Sequence, residues 1–397
     1  MYHYTRRREM DRLTNNSLIY LTQVRPYPIT REPRQIDPWV RAALDDILGA
    51  DSVYEFGEYS SSFYSMEGHY HNLRLYDRVI TPKPKLPLLE EVIAETRKAF
   101  EINDKVISLS RDDLASAPFI RTSSAGWSYI GKSKDNHATA IRRAVGTLKT
   151  WYKDKHQARG TPSMFRYTPD MAWTRTQLAS IDAPKVLPVW GRAFHNIILE
   201  GLSAVPLIRY YQEVGYPMAV GVHLYKSLPY IINSVLLDGE NKKTGIGLDM
   251  SSFDTCPMSW LINEAFDICK GNLIFRDEWE ERAFEYSRQY FIETPVIMPD
   301  SKMWLKLLGV PSGSYFTQLI DSITNHVLVS YIQLNEWGQT FETFVLGDDS
   351  LFGIPIEFGY SDLDAIARHA RELGFTQSTH KCIVTGNLQE LEFLGQS

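Results

Sequence analysis

The feature that most restricts the fold is a pair of adjacent acidic residues set between two short apolar runs. Residues 344–346 predict a buried strand, Gly347-Asp348-Asp349 a tight turn, and residues 351–352 a returning strand. Two carboxylates about 4 Å apart repel each other by about 4 kcal/mol at an effective dielectric of about 20. A cation should therefore neutralise them, and hard carboxylate oxygens favour Mg²⁺ or Mn²⁺.

A second pair of acidic residues, Asp249 and Asp254, lies in the segment TGIGLDMSSFDT. The apolar run before Asp249 predicts a strand that ends there, and Pro257 is predicted to open the following helix. The apolar face of this helix would consist of Leu261, Ala265 and Ile268. Asp249 and Asp348 could together hold two metal ions for phosphoryl transfer. The alternative is an ordinary turn residue followed by an Asp that a helix N-terminus favours.

The segment 309–332 predicts a loop at Ser312-Gly313-Ser314 followed by a helix. The apolar stripe of the helix would consist of Phe316, Ile320, Ile323 and Val327. Thr317, Asp321 and Asn325 recur every four residues and so share a second, polar stripe. Donors and acceptors in such a row suit the recognition of ribose hydroxyls. The alternative is a polar face that simply meets water.

Charge is unevenly distributed along the chain. The 397 residues carry a net charge of −6, which argues against a nucleic-acid partner. Between Arg121 and Arg192, however, 13 Lys and Arg residues stand against four Asp, a local balance of +9 that leaves −15 for the rest. Such a basic segment could line a channel for nucleic-acid phosphates. A solvated helical face is the more common meaning of a charge run.

The three cysteines and the termini exclude several classes of protein. Cys256, Cys269 and Cys382 form no C-x-x-C pair, which argues against a zinc ribbon or a disulfide scaffold and favours a reducing compartment. The basic N-terminus is not followed by an apolar region, so it does not resemble a secretory signal. No segment reaches the roughly 20 apolar residues of a membrane span, which predicts a soluble protein without a membrane partner.

Three ordered motifs resemble motifs A, B and C of viral RNA-dependent RNA polymerases. They are Asp-x4-Asp at 249–254, Ser-Gly-x3-Thr with a downstream Asn at 312–325, and Gly-Asp-Asp at 347–349. The phrase PSGSYFTQLIDSITN is most similar to the polymerases of partitiviruses, which have segmented double-stranded RNA genomes. Further segments resemble motif F (175–201), motif G (122–134), motif D (361–381) and motif E (391–395). The resemblance covers residues 115–397.

The resemblance implies a right-hand polymerase fold of the α+β class, with fingers and a palm built on an RNA-recognition-like sheet. The implied divisions are an N-terminal region with outer fingers (1–110), fingers (111–243), palm (244–270), a fingers insert (271–302) and palm again (303–397). In the family a helical thumb follows motif E, whereas the chain as given stops at Ser397. We therefore expect a partial sequence in which the thumb is missing.

The resemblance also implies roles for single residues. The metal-binding and catalytic carboxylates would be Asp249, Asp348 and Asp349, with two Mg²⁺ or Mn²⁺ ions as cofactors. Asp254 matches the residue that senses the 2′-hydroxyl of the incoming nucleotide. Lys381 matches the motif D lysine that protonates pyrophosphate. The nucleotide-binding loop and helix start of motif B would be Ser312, Gly313 and Thr317.

Two nucleotide contacts stay open on the sequence. Many related enzymes have Asn where this helix has Asp321, and Asn325 follows one turn later, so either residue could pair with Asp254. Motif F commonly reads Lys-x-Arg, but Leu187 stands at the Arg position. Binding of the triphosphate would then fall to one of three basic residues: Lys185, Arg175 or Arg192.

Motif G and the family imply the partners of the protein. The template contacts would be Ser124, Gly126, Lys132 and Lys134. The expected partners are an RNA template, the nascent RNA and nucleoside triphosphates, with a viral capsid protein as a further candidate. The protein would then work in the virion interior or in the host cytoplasm.

Two other functions remain open on the sequence. Residues 126–133 match the P-loop pattern G-x4-G-K-S formally. Residues 121–125 are, however, too polar for the buried strand that should precede a P-loop, and Trp127 and Tyr129 are bulky for a loop that wraps phosphate. The second alternative is a non-catalytic, RNA-binding remnant of a polymerase, against which the intact carboxylates argue.

Overall fold

The computed structural model describes residues 17–25, 38–49, 59–61, 66–116, 118–134, 137–157, 167–175, 178–180, 186–221, 227–239, 241–391 and 393–394. The helices are α1 (Pro38–Leu48), α2 (Met66–Arg74), α3 (Leu89–Ala99), α4 (His137–Gln157), α5 (Phe194–Val214), α6 (Leu228–Leu236), α7 (Ser259–Gly271), α8 (Glu278–Ile292), α9 (Thr317–Trp337) and α10 (Leu363–Glu372).

The strands are β1 (Leu18–Gln23), β2 (Tyr59–Ser61), β3 (Val106–Ile107), β4 (Asp170–Arg175), β5 (Leu178–Ser180), β6 (Leu187–Gly191), β7 (Leu237–Asp238), β8 (Asn241–Lys242), β9 (Thr244–Leu248), β10 (Leu273–Ile274), β11 (Thr294–Ile297), β12 (Lys302–Lys306), β13 (Thr343–Leu346), β14 (Asp349–Ile354) and β15 (Ile383–Thr385). Helices and strands are mixed along the chain, which agrees with the predicted α+β class.

Four antiparallel strands form the sheet that carries the predicted carboxylates. Their order is β13-β14-β9-β15. In the pairing of β14 with β9, Ser350 lies opposite Leu248. Asp249, the residue after β9, therefore lies beside the turn that joins β13 to β14. The register of this one strand pair brings the motif A carboxylate to the motif C hairpin.

Helices cover both faces of this sheet. On one face α3, α9 and α10 share an apolar core with the sheet, to which β9 contributes Ile246 and β14 contributes Phe352. On the other face α6 packs against β14, with Val235 next to Leu351. A Cβ at Gly353 would lie 1.9 Å from the carbonyl oxygen of Val235, so only glycine fits at this position of β14. The hairpin is thus fixed between two layers of helices.

Helix α9 is buried on every side over most of its length. Every residue from Leu319 to Gln333 is buried, because α3, α7, α10 and the β13–β14 hairpin all pack around it. The predicted apolar stripe is therefore confirmed. The alternative of a polar stripe that meets water is wrong for Asp321 and Asn325, since the hairpin and its neighbours cover them.

A second sheet of five strands has the order β1-β12-β11-β4-β6. Strands β11 and β4 are parallel, and the other neighbours are antiparallel. Strand β4 begins at Asp170, and β6 ends at Gly191, from which Arg192 and Ala193 lead directly into α5. Strands β4, β6 and β11 and the start of α5 lie in the regions predicted as fingers. Strand β1 lies in the predicted N-terminal region with outer fingers, and most of β12 lies in the predicted palm. The division into subdomains itself stays a prediction.

The predicted helices are present with small changes in their bounds. The helix after Asp254 begins at Ser259 and not at Pro257, because Met258, the residue that caps it, still has an extended backbone. The segment predicted as a fingers insert (271–302) contains α8, and the side chain of Asp277 caps this helix by accepting from the N–H of Glu280. Among the helices within the described ranges, none is long and apolar enough to cross a membrane.

Candidate active site

The predicted hairpin is present, with Gly347 and Asp348 as its two turn residues. Strands β13 and β14 pair so that Leu346 lies opposite Asp349. Gly347 has φ +63°, a left-handed conformation that glycine adopts without steric cost. Turns with positive φ match the twist of antiparallel strands. The glycine thus allows a turn tight enough to place Asp348 at the tip.

Two buried side chains of α9 hold the backbone of this turn. The hydroxyl oxygen of Ser322 accepts a hydrogen bond from the N–H of Gly347 at 2.9 Å. The amide nitrogen of Asn325 donates to the carbonyl oxygens of Gly347 and Asp349, each at 3.1 Å. Because both side chains are buried, these bonds do not compete with water. The position of the turn is therefore set by α9.

Asp249 and Asp348 are close enough for their charges to interact. The Oδ1 atom of Asp249 is buried and has no hydrogen-bond partner among the described residues, and the Nζ atom of Lys381 lies 3.9 Å from it. Loss of hydration raises the pKa of Asp348, its own backbone N–H lowers it, the charge of Asp249 raises it and Lys381 lowers it. A bound cation would satisfy both carboxylates.

The chemistry of these donors fits a hard divalent cation, because Mg²⁺ and Mn²⁺ prefer carboxylate oxygens. The unpartnered Oδ1 atom of Asp249 supports this fit. Within the described ranges, however, no three Asp, Glu, His or Cys side chains are grouped so as to hold a metal ion. Asp349 is exposed at the start of β14. The structure therefore brings together Asp249 and Asp348, and the third ligand stays a prediction.

The second carboxylate of motif A, Asp254, interacts with α9. Burial and the charge of Asp348 raise the pKa of Asp254 to about 7. Burial raises the pKa of Asp321 well above its usual value, and the charges of Asp254 and Asp348 add to this. The Oδ1 atom of Asp321 has no hydrogen-bond partner among the described residues. The amide of Asn325 is used at the turn, whereas the charge of Asp254 acts on Asp321. Which of the two residues pairs with Asp254 at a nucleotide stays a prediction.

The motif B loop, residues 310–316, is tied to Asp254 at its start. The N–H of Val310 donates to the carbonyl oxygen of Asp254 at 2.6 Å. The hydroxyl of Thr317 donates to the carbonyl oxygen of Pro311 at 2.8 Å and so closes the loop on the first turn of α9. The structure thus places Thr317, predicted as a nucleotide contact, where its hydroxyl is already engaged by the loop.

The centre of the motif B loop lies against the end of β6. A Cβ at Gly313 would lie 1.7 Å from the carbonyl oxygen of Trp190, so the loop approaches this strand as closely as only glycine permits. Ser312 and Gly313 are both half-buried. The loop therefore spans from the segment around Asp254 to the predicted fingers.

Of the three basic residues predicted to bind the triphosphate, only Arg192 has a side chain within the described residues. The guanidinium of Arg192 has no exposed surface and is paired with Asp170 and Glu200. The prediction that Arg192 contacts the triphosphate is therefore wrong for this structure, because a ligand in an open cleft could not reach it. Lys185 and the side chain of Arg175 lie outside the described residues.

The segment with the predicted template contacts forms a compact loop against the start of α5. The carbonyl oxygen of Ala125 accepts from the N–H of Phe194 at 2.9 Å, and the hydroxyl oxygen of Ser124 accepts from the N–H of Gly126 at 3.3 Å. A Cβ at Gly126 would lie 2.8 Å from the Cα of Ala193. Lys132 is exposed and Lys134 half-buried, and burial lowers the pKa of Lys134.

The same segment does not form a P-loop. The described residues before Gly126 form a turn and an isolated bridge between Ser124 and Ser133, not a buried strand. Residues 127–129 form a single 3₁₀ turn, and no helix begins at Lys132. The P-loop alternative is therefore wrong, because the strand and the helix that would shape such a loop are not there.

Sequence reasoning missed two residues that support the site. Ser322 follows Asp321 directly and lies off the predicted polar stripe, so its spacing gave no indication of its contact with the turn. Glu200 does leave a signal, because it is an acidic residue within the apolar run FHNIILEGLSAV. A charge in such a run is expected to need a buried partner, and Arg192 is that partner.

The antiparallel sheet carries one carboxylate at its hairpin tip and another at the end of the adjoining strand, which is the arrangement expected of a template-dependent nucleic-acid polymerase. The chain belongs to the family of viral RNA-dependent RNA polymerases. The family model described as "Viral RNA-dependent RNA polymerase" matches residues 53–397. The family predicted from motifs A, B and C is therefore confirmed, and with it the general polymerase fold.

Two curated relatives come from RNA viruses. An RNA-directed RNA polymerase of Cryptosporidium parvum virus 1 (strain KSU-1) is 34% identical over 142 residues, which cover 34% of this chain and 26% of that protein. An RNA-directed RNA polymerase of White clover cryptic virus 1 (isolate Boccardo/2004) is 24% identical over 260 residues, which cover 58% of this chain and 42% of that protein. The matches thus span less than half the length of either relative. They confirm the predicted likeness to polymerases of double-stranded RNA viruses.

Proposed function

We propose that this chain carries out template-directed nucleotidyl transfer for viral genome replication and transcription. The 3′-oxygen of an RNA chain would attack the α-phosphorus of a nucleoside triphosphate, and the bond to pyrophosphate would break. The observation that carries the proposal is the position of Asp249 beside the Gly347-Asp348 turn, with an unpartnered carboxylate oxygen. Membership in the family supports the same reaction class.

Asp249 and Asp348, with Asp349 as a further ligand, would hold two Mg²⁺ or Mn²⁺ ions. Such ions neutralise charge at the attacking oxygen and at the leaving pyrophosphate. The contribution of the protein is to fix the carboxylates in advance. The hydrogen bonds from Ser322 and Asn325 to the turn serve this purpose, because they hold the backbone on both sides of Asp348.

Asp254 and Asp321 would recognise the ribose of the incoming nucleotide. Burial raises the pKa of the Asp321 carboxyl and so favours its protonated form. A protonated carboxyl can donate a hydrogen bond, as the amide of Asn does in related enzymes. This role suits Asp321, which stands at the Asn position. Ser312, Gly313 and Thr317 would shape the surface that the nucleotide meets. Asn325 would act through the turn and not through the ribose.

Lys381 would supply the proton that the leaving pyrophosphate takes up. Its Nζ atom lies 3.9 Å from Asp249, next to the carboxylates that face the triphosphate in this proposal. A positioned general acid typically accelerates such a step by about 10²–10⁴-fold.

The template would pass the loop that contains Ser124, Gly126, Lys132 and Lys134. Lys185 or Arg175 would bind the triphosphate. The partners would be template RNA, nascent RNA and nucleoside triphosphates, and a viral capsid protein is a further candidate. The protein would act in the virion interior or in the host cytoplasm.

The decisive experiment is incorporation of labelled nucleotides on a defined RNA template, with Mg²⁺ and with Mn²⁺. We expect template-dependent product. Tight RNA binding without incorporation under either metal would instead identify a non-catalytic remnant and overturn the proposal.

A further inference from the structure

A buried ion-pair network joins the fingers strands to α5. Arg192 donates from Nε and Nη2 to the Oδ2 atom of Asp170, at 3.2 and 3.1 Å. The hydroxyl of Tyr290 donates to the other oxygen of Asp170 at 2.9 Å. The side chains of Arg192 and Asp170 have 0% exposed surface. Asp170 is thus fully satisfied within the network.

Glu200 completes the network in a different way. Its Oε1 atom accepts from Nη1 of Arg192. Its Oε2 atom accepts from the backbone N–H of Tyr315 at 3.0 Å, and the hydroxyl of Ser314 also donates to this carboxylate. Glu200 is therefore shared between the buried arginine and the motif B loop.

Arg192 occupies only one oxygen of Glu200, so the other oxygen can accept hydrogen bonds from the motif B loop. One arginine faces two carboxylates, and Asp170 takes two of its N–H groups. Burial raises the pKa of Glu200, whereas Arg192 and the N–H of Tyr315 lower it, so both neighbours favour the ionised form. A hydrogen bond to an ionised acceptor is roughly twice as strong as a neutral one. The N–H of Tyr315 thus donates to an ionised carboxylate whose position is fixed by the ion pair with Arg192.

The motif B loop is consequently fixed at both ends. Val310 is bonded to the backbone of Asp254 at one end, and Tyr315 is bonded to Glu200 at the other. Between them Gly313 lies against the carbonyl of Trp190, two residues before Arg192. The position and the mobility of the motif B loop should therefore depend on Glu200.

We propose that Glu200 is a positioning residue that latches the motif B loop to the fingers, with Arg192 setting the position of its carboxylate. Its kinetic consequence rests on the proposed function, because the loop matters to catalysis only if it contacts the nucleotide. The latch itself is a property of the free protein. Two separate measurements can therefore test the two statements.

The first measurement is hydrogen exchange of the loop amides in the free protein. Glu200→Gln leaves one oxygen where two are needed, so either Arg192 or the N–H of Tyr315 loses its acceptor. We expect exchange in peptides that cover residues 312–317 to become at least about tenfold faster. Asp170→Asn is the matched control, since it removes a charge from the same network without touching the loop. It should leave loop exchange unchanged.

The second measurement is steady-state incorporation at temperatures where all variants are folded. Glu200→Gln should raise the KM for nucleoside triphosphates several-fold more than it lowers kcat, because the loop has to be ordered at the expense of binding. Asp170→Asn should not change this ratio. If Glu200→Gln fails to fold, Glu200→Asp replaces it: the charge for Arg192 is kept, but the carboxylate is one methylene short of the loop.

The outcomes separate the latch from the proposed function. Equal loop exchange in wild type and the Glu200 variant overturns the latch, and so does an equal increase in Asp170→Asn, which would mean general loosening. Faster exchange in the Glu200 variant alone supports the latch even if no protein incorporates nucleotides. In that last case it is the proposed function that fails.

Discussion

Two groups of carboxylates in this protein have opposite surroundings. At the hairpin, Asp249 has an oxygen without a hydrogen-bond partner among the described residues, and Asp348 is exposed at the turn. In the region predicted as fingers, Asp170 and Glu200 have almost no exposed surface, and both are paired with Arg192. Tyr290 donates a further hydrogen bond to Asp170, and Tyr315 donates one to Glu200. The same functional group is partly open to solvent in one place and buried and fully paired in the other.

The two surroundings predict different effects of mutation, on stability for the buried pair and on activity for the hairpin carboxylates. A buried ionised carboxylate costs several kcal/mol unless a partner compensates it, so the fingers pair can exist only with Arg192. The hairpin carboxylates are partly exposed, so water can compensate part of their charge. Loss of one fingers residue should therefore damage the fold, whereas loss of one hairpin residue should damage chemistry alone.

The strongest test of this contrast is Asp348→Ala. We expect nucleotide incorporation to fall by at least about 10³-fold, equivalent to about 4 kcal/mol of transition-state stabilisation. The melting temperature of the metal-free protein should stay the same or rise, because repulsion with Asp249 is removed. Glu357→Ala, a loss of an exposed carboxylate beyond β14, is the control and should change neither quantity. Full activity in Asp348→Ala would contradict the active-site assignment.

The opposite result is expected for Arg192→Met. It leaves Asp170 and Glu200 without their cation and should lower the free energy of unfolding by about 3–5 kcal/mol. Replacement of all three residues by apolar side chains should recover most of this loss, because no buried charge remains. Denaturant unfolding measures both effects. If Arg192→Met were as stable as wild type, the ion-pair network would not contribute to the stability of this region.

Lys381→Leu should affect chemistry more than binding or stability. Its side chain is 58% exposed, so the fold does not depend on it. Loss of a general acid should slow the single-turnover rate by about 10²-fold or more. Lys381→Arg, which keeps the charge but holds its proton more tightly, should recover only part of the rate. Unaltered single-turnover rates in Lys381→Leu would remove this residue from the mechanism.

Asn325→Leu tests whether α9 fixes the catalytic turn. The carbonyl oxygens of Gly347 and Asp349 lose their donor, which should cost about 1–3 kcal/mol of stability and also reduce activity. Thr324→Val is the control, since it removes a buried hydroxyl that bonds only within α9. A changed preference for ribonucleotides over deoxynucleotides at unchanged stability would instead assign Asn325 to the ribose.

The smallest expected effect is a pH dependence of stability in the metal-free protein. The pKa of Asp254 rises from 3.8 to about 7 on folding, so the folded state binds this proton more tightly than the unfolded state does. The stabilisation is complete below pH 3.8 and is lost as the pH rises towards 7. Asp254→Asn should flatten this fall by about 1–2 kcal/mol, since the group is half-buried. An identical slope in both proteins, measured by denaturant unfolding, would contradict the shift.

Local sequence patterns are sufficient to predict the strands, the turn and the helix on which the predicted site residues lie. The glycine and the apolar flanks predict the hairpin around Asp348, and the apolar run predicts a strand that ends at Asp249. Periodicity predicts the buried face of α9. These features depend on neighbours within a few residues of the chain. They can therefore be predicted from a single sequence.

Contacts between distant segments cannot be predicted from local patterns. The charge of Arg192 is visible in the sequence and suggests a phosphate ligand. Its partner Asp170 is brought close to it only by the pairing of β4 with β6. Likewise, Asn325 could be placed on a polar stripe, but periodicity cannot tell whether that stripe faces a ligand or another backbone. The bonds from Asn325 to the turn arise from the packing of α9 against the hairpin, which is a property of the whole fold.

The order of strands in the palm sheet has a consequence for how the protein is made. Strands β9 and β14 are neighbours in the sheet but leave a ribosome far apart in time, because about 100 residues separate them and closing so long a loop is slow. The edge strand β15 is synthesised later still. During synthesis the helices can form early, but Asp249 and Asp348 can meet only after β14 has left the ribosome. A nascent chain thus lacks the carboxylate pair until β14 has been translated and has paired with β9.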